Sequence, residues 1–189
     1  SCLVGSEMCI RDRYAPTFRD YGMTTLFPFA DYDKKALDAF LEKEDAVIFL
    51  RTHISEQGNA GPYVSDRVRY LGNEQAEDIM DIADMFDILI TDYSSIYIDY
   101  LLLDRPLIFL PYDKEQYLKG RGMNFEYDKV TPGAKPDSQQ KFIDAIAEIC
   151  HGRDRYQQER QKCNLFFNEI QQPCMKNICD EVKKHVGMD

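Results

Sequence analysis

Three short apolar runs constrain this chain more than anything else in it. Ala46-Val47-Ile48-Phe49-Leu50 is continuously apolar, Phe86-Asp87-Ile88-Leu89-Ile90-Thr91 nearly so, and Pro106-Leu107-Ile108-Phe109-Leu110 is a third. Such runs suit strands buried on both faces of a parallel sheet, not strands with one wet face. Between and around them the apolar spacing turns helical. Lys34 to Glu44 places Ala36, Leu37, Phe40 and Leu41 on one side, and Glu74 to Met85 does the same with Ile79, Ile82 and Ala83. Ser94 to Leu103 reads as a helix buried nearly all round. Val68 to Leu71 is a shorter strand candidate, after a loop carrying Gly58, Gly61 and Pro62. Helices follow over 139–150 and 153–170. Pro173 breaks the pattern, and a last helix runs to about His185. This alternation predicts an α/β fold, a Rossmann-like parallel sheet with flanking helices.

Composition narrows the partners. The chain has 189 residues, 44% apolar and 30% charged, enough for one domain with a real core. Its net charge of -10 argues against nucleic acid, which calls for a basic footprint. No apolar run reaches the roughly 18–20 residues of a membrane span, and no signal-peptide pattern is present. Cys150, Cys163, Cys174 and Cys179 lie in helix-like sequence without C-x-x-C spacing, as expected of reduced thiols in a cytosolic protein.

The segment with chemical potential is Thr91-Asp92-Tyr93-Ser94-Ser95, between a buried strand and a helix. In open parallel sheets ligands bind outside the carboxyl ends of the strands. A helix start offers unpaired N–H groups to phosphate, and Ser94 and Ser95 add hydroxyls. The same residues also suit plain N-capping, and spacing alone leaves both readings open. The segment is neither a Walker loop nor a GxGxxG turn.

A longer pattern surrounds it. Asp87-Ile88-Leu89-Ile90-Thr91-Asp92-Tyr93-Ser94-Ser95, Asp99, Leu103-Asp104-Arg105-Pro106, Tyr112-Asp113, Tyr117, Arg121-Gly122 and Thr131-Pro132-Gly133 occur in order over nearly fifty residues. Together they resemble the CDP-glycerol glycerophosphotransferases, which build teichoic-acid-type polymers. Tyr14-Ala15-Pro16-Thr17-Phe18-Arg19 and Arg51-Thr52-His53 resemble two further segments of that family. The resemblance spans about 14–150 and departs beyond Cys150.

It implies the C-terminal, donor-binding half of a GT-B architecture over residues 14–189, with an N-terminal acceptor domain elsewhere. It implies transfer of glycerol phosphate, or a related polyol phosphate, from a CDP-alcohol to a polymer acceptor, with CMP released. A nucleotide-sugar transferase or epimerase, or a non-catalytic nucleotide-binding module, is the alternative. Carried onto this sequence, His53 becomes the catalytic candidate, and Ser94, Ser95, Thr91, Asp92, Arg121 and Arg51 the donor-phosphate set. Lys119-Gly120-Arg121-Gly122 reads as a flexible basic loop in which a forked guanidinium meets phosphate. Tyr93 and Tyr100 read as packing, and Asp99 as a structural partner. No cofactor and no metal are expected: Asp92 and Asp99 show no third ligand. The implied acceptor is lipid-linked, reached through the other domain, so a cytoplasmic site at the inner membrane face, with peripheral contact, is expected.

Residues 1–13, Ser1 to Arg13, resemble a translated sequencing adapter and not protein-coding sequence. They are expected to stand outside the fold, with the natural chain continuing upstream. Glu7 and Asp12 balance Arg11 and Arg13, so the net charge is the same without them.

Overall fold

The computed structural model describes residues 10–52, 54–72, 74, 80–169 and 175–186. Its centre is a five-stranded sheet in the order β3-β2-β1-β4-β5, from Ile10–Tyr14 (β1), Ala46–Leu50 (β2), Val68–Tyr70 (β3), Ile88–Thr91 (β4) and Leu107–Phe109 (β5). Every pairing is parallel. The three apolar runs are β2, β4 and β5, and each is buried along its whole length. Side chains alternate between faces with period two. Ile88, Ile90 and Ile108 join one core cluster, whereas Leu89, Leu107 and Phe109 join another.

Sequence patterning reads only the end of β1, at Tyr14, where Pro16 stops any ladder. Residues 10–13, set apart above as adapter-like, lie in the middle of the sheet, with Tyr14 level with Leu50 on one side and Ile90 on the other. Backbone pairing accounts for this, because the ladder's N–H and C=O groups do not depend on side-chain identity. The side chains fit less well. Asp12 is fully buried, and among the described residues neither carboxylate oxygen has a hydrogen-bond partner.

One face is covered by α1 (Lys34–Lys43) and α5 (Gln139–Cys150). Asp33 caps α1 by accepting from the Lys35 and Ala36 amides, and Ser138 caps α5 by accepting from Lys141. Leu37 and Leu41, then Phe142 and Ile146, lie four residues apart and face the sheet. The other face carries α2 (Ile96–Tyr100), which tightens into a 3-10 turn over Leu101–Leu103. It also carries α3 (Lys114–Gly120), α4 (Tyr127–Val130) and α6 (Gln157–Phe167). The C-terminal helix α7 spans Met175–Val186.

Two motif pieces outside the sheet prove to be structural. Asp104 ends the 3-10 turn in the left-handed region (φ 47°). Its carboxylate and carbonyl accept from Arg160 of α6, at 2.9 Å each, and Arg160 is itself buried and bound also to Asp154. Gly133 lies against β5 so closely that a Cβ there would sit 2.2 Å from the Leu107 carbonyl oxygen. That approach lets Phe109 donate to the Ala134 carbonyl at 2.8 Å. Among the described residues no helix is long and apolar enough to cross a membrane.

Candidate functional site at the carboxyl edge of the sheet

The strand order sets the place. From β1 the chain steps outward to β2 and β3, then returns past β1 to β4 and β5. Connections leaving β1 and β4 therefore diverge, which opens a crevice at their carboxyl ends. Ala15 follows β1 there, and Asp92 to Ser95 follow β4. Ala15 donates to the Ile90 carbonyl at 2.9 Å, and Thr91 Oγ1 donates back to the Ala15 carbonyl at 2.7 Å. The Thr91 hydroxyl thus ties the two strands together inside the protein.

Asp92 is also turned inward, with about 1% exposure. Its Oδ1 accepts from the Thr17 amide at 2.8 Å, the Thr17 hydroxyl at 2.7 Å and the Tyr93 amide at 2.5 Å. Its Oδ2 lies 2.8 Å from the Arg19 guanidinium, an ion contact without hydrogen-bond alignment. Asp92 therefore shapes the turn rather than presenting a free carboxylate at its surface. Tyr127 closes the turn from below, donating its hydroxyl to the Asp92 carbonyl at 2.9 Å.

Arg19 is the hub that sequence reasoning passed over. It is 2% exposed. Its Nε and Nη2 fork onto Asp113 at 2.7 and 3.0 Å, and Nη1 donates to the Thr17 carbonyl at 2.5 Å. Tyr93, Tyr112 and Tyr117 surround the guanidinium at 5.0, 5.2 and 5.5 Å. Tyr93 stacks on Tyr117 at 4.0 Å and donates to Asp113 at 3.0 Å. Burial, then the Asp113 charge and hydrogen bond, push the Tyr93 hydroxyl far above its ordinary pKa, so it remains a donor. Burial by itself would raise the Asp113 carboxyl. Donation from Arg19 and Tyr21, the Arg19 charge and the Tyr93 hydroxyl outweigh it and hold Asp113 below the usual carboxylate value. The signal for this hub was present as Arg19 and Asp113 in the motif, but nothing in a linear pattern joins positions 94 residues apart.

Ser94 and Ser95 lie above this hub. Ser94 is half-buried, and its Oγ accepts a long 3.5 Å contact from the Ile96 amide. Ser95 is exposed, sits at the N-cap of α2 in helical conformation, and makes no side-chain cap bond. The turn is thus built by Asp92, and the Ser95 hydroxyl is not spent on capping.

The cations lie around the rim. Arg51 follows β2 and donates from Nη1 to the Gly72 carbonyl at 3.0 Å. Arg121 is not in a flexible loop: it is the C-cap of α3, its amide bound to the Tyr117 carbonyl at 2.9 Å. A loop reading missed α3 because its apolar positions are few and two glycines flank the arginine. The Arg121 side chain forks onto Asp20 at 2.6 and 2.8 Å. His53 lies outside the described residues. Tyr93 and Tyr100 pack in the interior, as expected, and Asp99 is exposed on α2. Among the described residues no three or more His, Cys, Asp or Glu side chains gather to hold a metal ion.

Comparison with known proteins fits this geometry. The family model for CDP-glycerol:poly(glycerophosphate) glycerophosphotransferase matches residues 12–182, carrying the likeness past Cys150. The teichoic acid glycerol-phosphate transferase of Staphylococcus aureus (strain NCTC 8325 / PS 47) is 34% identical over 183 residues, 90% of this chain and 44% of that protein. The teichoic acid glycerol-phosphate primase of Bacillus subtilis (strain 168) is 34% identical over 135 residues, 70% of this chain and 34% of that one. This chain thus spans between a third and a half of either relative. A structure of the wall teichoic acid polymerase TagF matches with a TM-score of 0.60 at 27% identity, over 86% of this chain and 39% of that one. The S. aureus MnaA–UDP structure shares the fold alone, with a TM-score of 0.56 at 15% identity over 96% of this chain and 47% of that one. With nearly its whole length matched, the chain belongs to the CDP-glycerol:poly(glycerophosphate) glycerophosphotransferase family.

Proposed function

We propose that this chain is the donor-binding half of a GT-B glycerophosphotransferase and that it holds the pyrophosphate of CDP-glycerol at the crevice between β1 and β4. The observation that carries the reading is the Asp92–Ser95 turn: at the switch point of the sheet, its acid is neutralised from within and its Ser95 hydroxyl is left to the surface. In this reading Ser94, Ser95 and the backbone at the start of α2 donate to phosphate oxygens. Arg121 and Arg51 offset their charge. Thr91 and Asp92 take part as supports of the turn. His53, just past β2, assists at the phosphates or in proton transfer, a role worth about 10²–10⁴-fold for a positioned histidine.

The reaction is attack by an acceptor hydroxyl on the glycerol-linked phosphorus. A new P–O bond forms to the acceptor oxygen. The bond to the bridging oxygen of the pyrophosphate breaks, and CMP leaves with that electron pair. The hydroxyl proton passes to a base on the acceptor side, outside the residues assigned here. Such transfers depend mainly on positioning and on stabilising charge at the phosphate oxygens. The acceptor is a lipid-linked teichoic-acid-type polymer, which places the work in the cytoplasm at the inner membrane face. No cofactor is assigned.

Calorimetry of this chain with CDP-glycerol, CDP-ribitol and a UDP-sugar tests the reading. CDP-glycerol binds, and a UDP-sugar binds more weakly. Ser94→Ala and Ser95→Ala each weaken the donor by about ten-fold or more, as expected for hydroxyls bonded to a charged group. Unchanged affinity in both variants, with unchanged melting temperatures, sinks the phosphate role of the turn.

A further inference from the structure

The loop that leaves β1 pins itself across the carboxyl edge with side chains of very different burial. Thr17 binds Asp92, Arg19 binds Asp92 and Asp113, Asp20 binds Arg121, and Tyr21 donates to Asp113 at 2.6 Å. The Arg19 pair is sealed: the arginine side chain is 1% exposed, and its Asp113 partner 11%. The neighbouring pair is open. Arg121 is 41% exposed and Asp20 56%, although the contact is a bidentate fork at 2.6 and 2.8 Å. A carboxylate that forks onto a guanidinium uses the geometry a phosphate would use.

Arg121 is also joined to the switch-point turn through stacked side chains. The Arg121 amide donates to the Tyr117 carbonyl at 2.9 Å, Tyr117 stacks on Tyr93 at 4.0 Å, and Tyr93 precedes Ser94 in the chain. The Arg121 side chain stems from the end of α3, just before Gly122, whose φ of 69° turns the chain away there. The arginine therefore sits beside the crevice with its donors engaged by an acid of the same protein.

We propose that Asp20 is a resident competitor for the donor's phosphates: its carboxylate holds Arg121 in the unliganded chain, and the pyrophosphate of the donor displaces it. This rests on the reading of the crevice as the donor site. The exchange is feasible because an exposed ion pair is weak, whereas the enclosed Arg19 pairs cannot trade partners without stranding buried carboxylates. Asp20 is then a positioning residue. It keeps Arg121 extended toward the loop that leaves β1 and lowers affinity for every anion that reaches the rim. An anionic protein with a net charge of -10 gains selectivity this way, since a small anion with a single contact does not repay the lost fork, and a pyrophosphate with several does.

The test is a double-mutant cycle on this chain, with CDP-glycerol affinity measured by calorimetry and melting temperature as the control for folding. Asp20→Asn should tighten CDP-glycerol by about two- to five-fold, the size of an exposed ion pair. Arg121→Ala should weaken it, and adding Asp20→Asn to Arg121→Ala should change nothing further. Loss of affinity in Asp20→Asn, no change, or an equal gain in the Arg121→Ala background overturns the competitor role. In those cases a weakening by Arg121→Ala alone leaves the donor site standing. If Arg121→Ala binds like the parent, Arg121 is not a donor ligand and the proposal fails, while the serine variants still judge the turn. No CDP-glycerol binding by the parent overturns both.

Discussion

At Arg19 a guanidinium that is 2% exposed meets two carboxylates and three tyrosine rings. Taking such a group out of water is costly, and Asp92 and Asp113 repay the cost only while the fork geometry holds. Asp113 is satisfied by three donors, its ion-pair partner Arg19 and the hydroxyls of Tyr21 and Tyr93. Arg19→Ala leaves both carboxylates without their cation, so the expected loss is about 3–5 kcal/mol of folding stability, read from urea unfolding. Arg19→Lys restores charge but not the planar fork or the stacking on tyrosine, and should recover only part. The pH dependence has a definite sign. The folded-state pKa of Asp113 lies below its ordinary 3.8, so its contribution is complete above that value and fades as pH falls through the lower folded value. The gap between parent and Arg19→Ala should therefore narrow in strong acid. A gap that stays constant from pH 7 down to the acid limb would assign the loss to packing on the tyrosines.

At the scale of elements, legibility followed the physics of burial. β2, β4 and β5 could be read because strands buried on both faces are continuous apolar runs, and α1 and α5 because a cap precedes a spaced apolar face. α3 and α4 were not read: seven and four residues are too short for a periodic signal. The turn at Thr91–Ser95 was legible as a place, but the division of labour within it was not. That Asp92 serves the interior and Ser95 the surface depends on Arg19 and Thr17, which lie 75 residues upstream in the case of Thr17. β1 is read only at its end, Tyr14. Its sequence, IRDRY, has three charged residues of five, yet it fills the centre of the sheet. Burial, and next the charge of Asp87, push the Asp12 carboxyl well above its ordinary 3.8. The folded state therefore favours the protonated form, and Asp12 costs least stability below 3.8 and more as pH rises from there toward its folded pKa. Asp12→Val removes an unsatisfied buried group and should stabilise the chain by about 1–3 kcal/mol near neutral pH. The gain should shrink toward pH 4, as urea midpoints at both pH values will show. Equal stability of parent and variant at neutral pH would mean that water or a counter-charge reaches Asp12.

For the whole molecule the balance of charge decides what the crevice can do. The chain carries a net -10, and the acids closest to the turn are held by Arg19. Neither Asp92 nor Asp113 is then available as a base toward an incoming hydroxyl. Among the described residues, what remains at the rim is hydroxyl, backbone N–H and guanidinium, a set that binds phosphate and stabilises its charge but abstracts no proton. This separation predicts binding without turnover. The 189-residue chain should bind CDP-glycerol, and its melting temperature should rise with donor concentration, by the equivalent of about 2.7 kcal/mol at a hundred-fold excess over Kd. Supplied with donor and a teichoic-acid-type acceptor, it should release no CMP above the uncatalysed rate. This chain spans 44% of the S. aureus transferase and 34% of the B. subtilis primase. Chromatographic detection of CMP decides the matter. Steady CMP release that depends on the acceptor would place the proton acceptor within these residues, and His53→Ala would then show whether it is that histidine. A thermal shift with no CMP places the donor wall here and the base across the cleft.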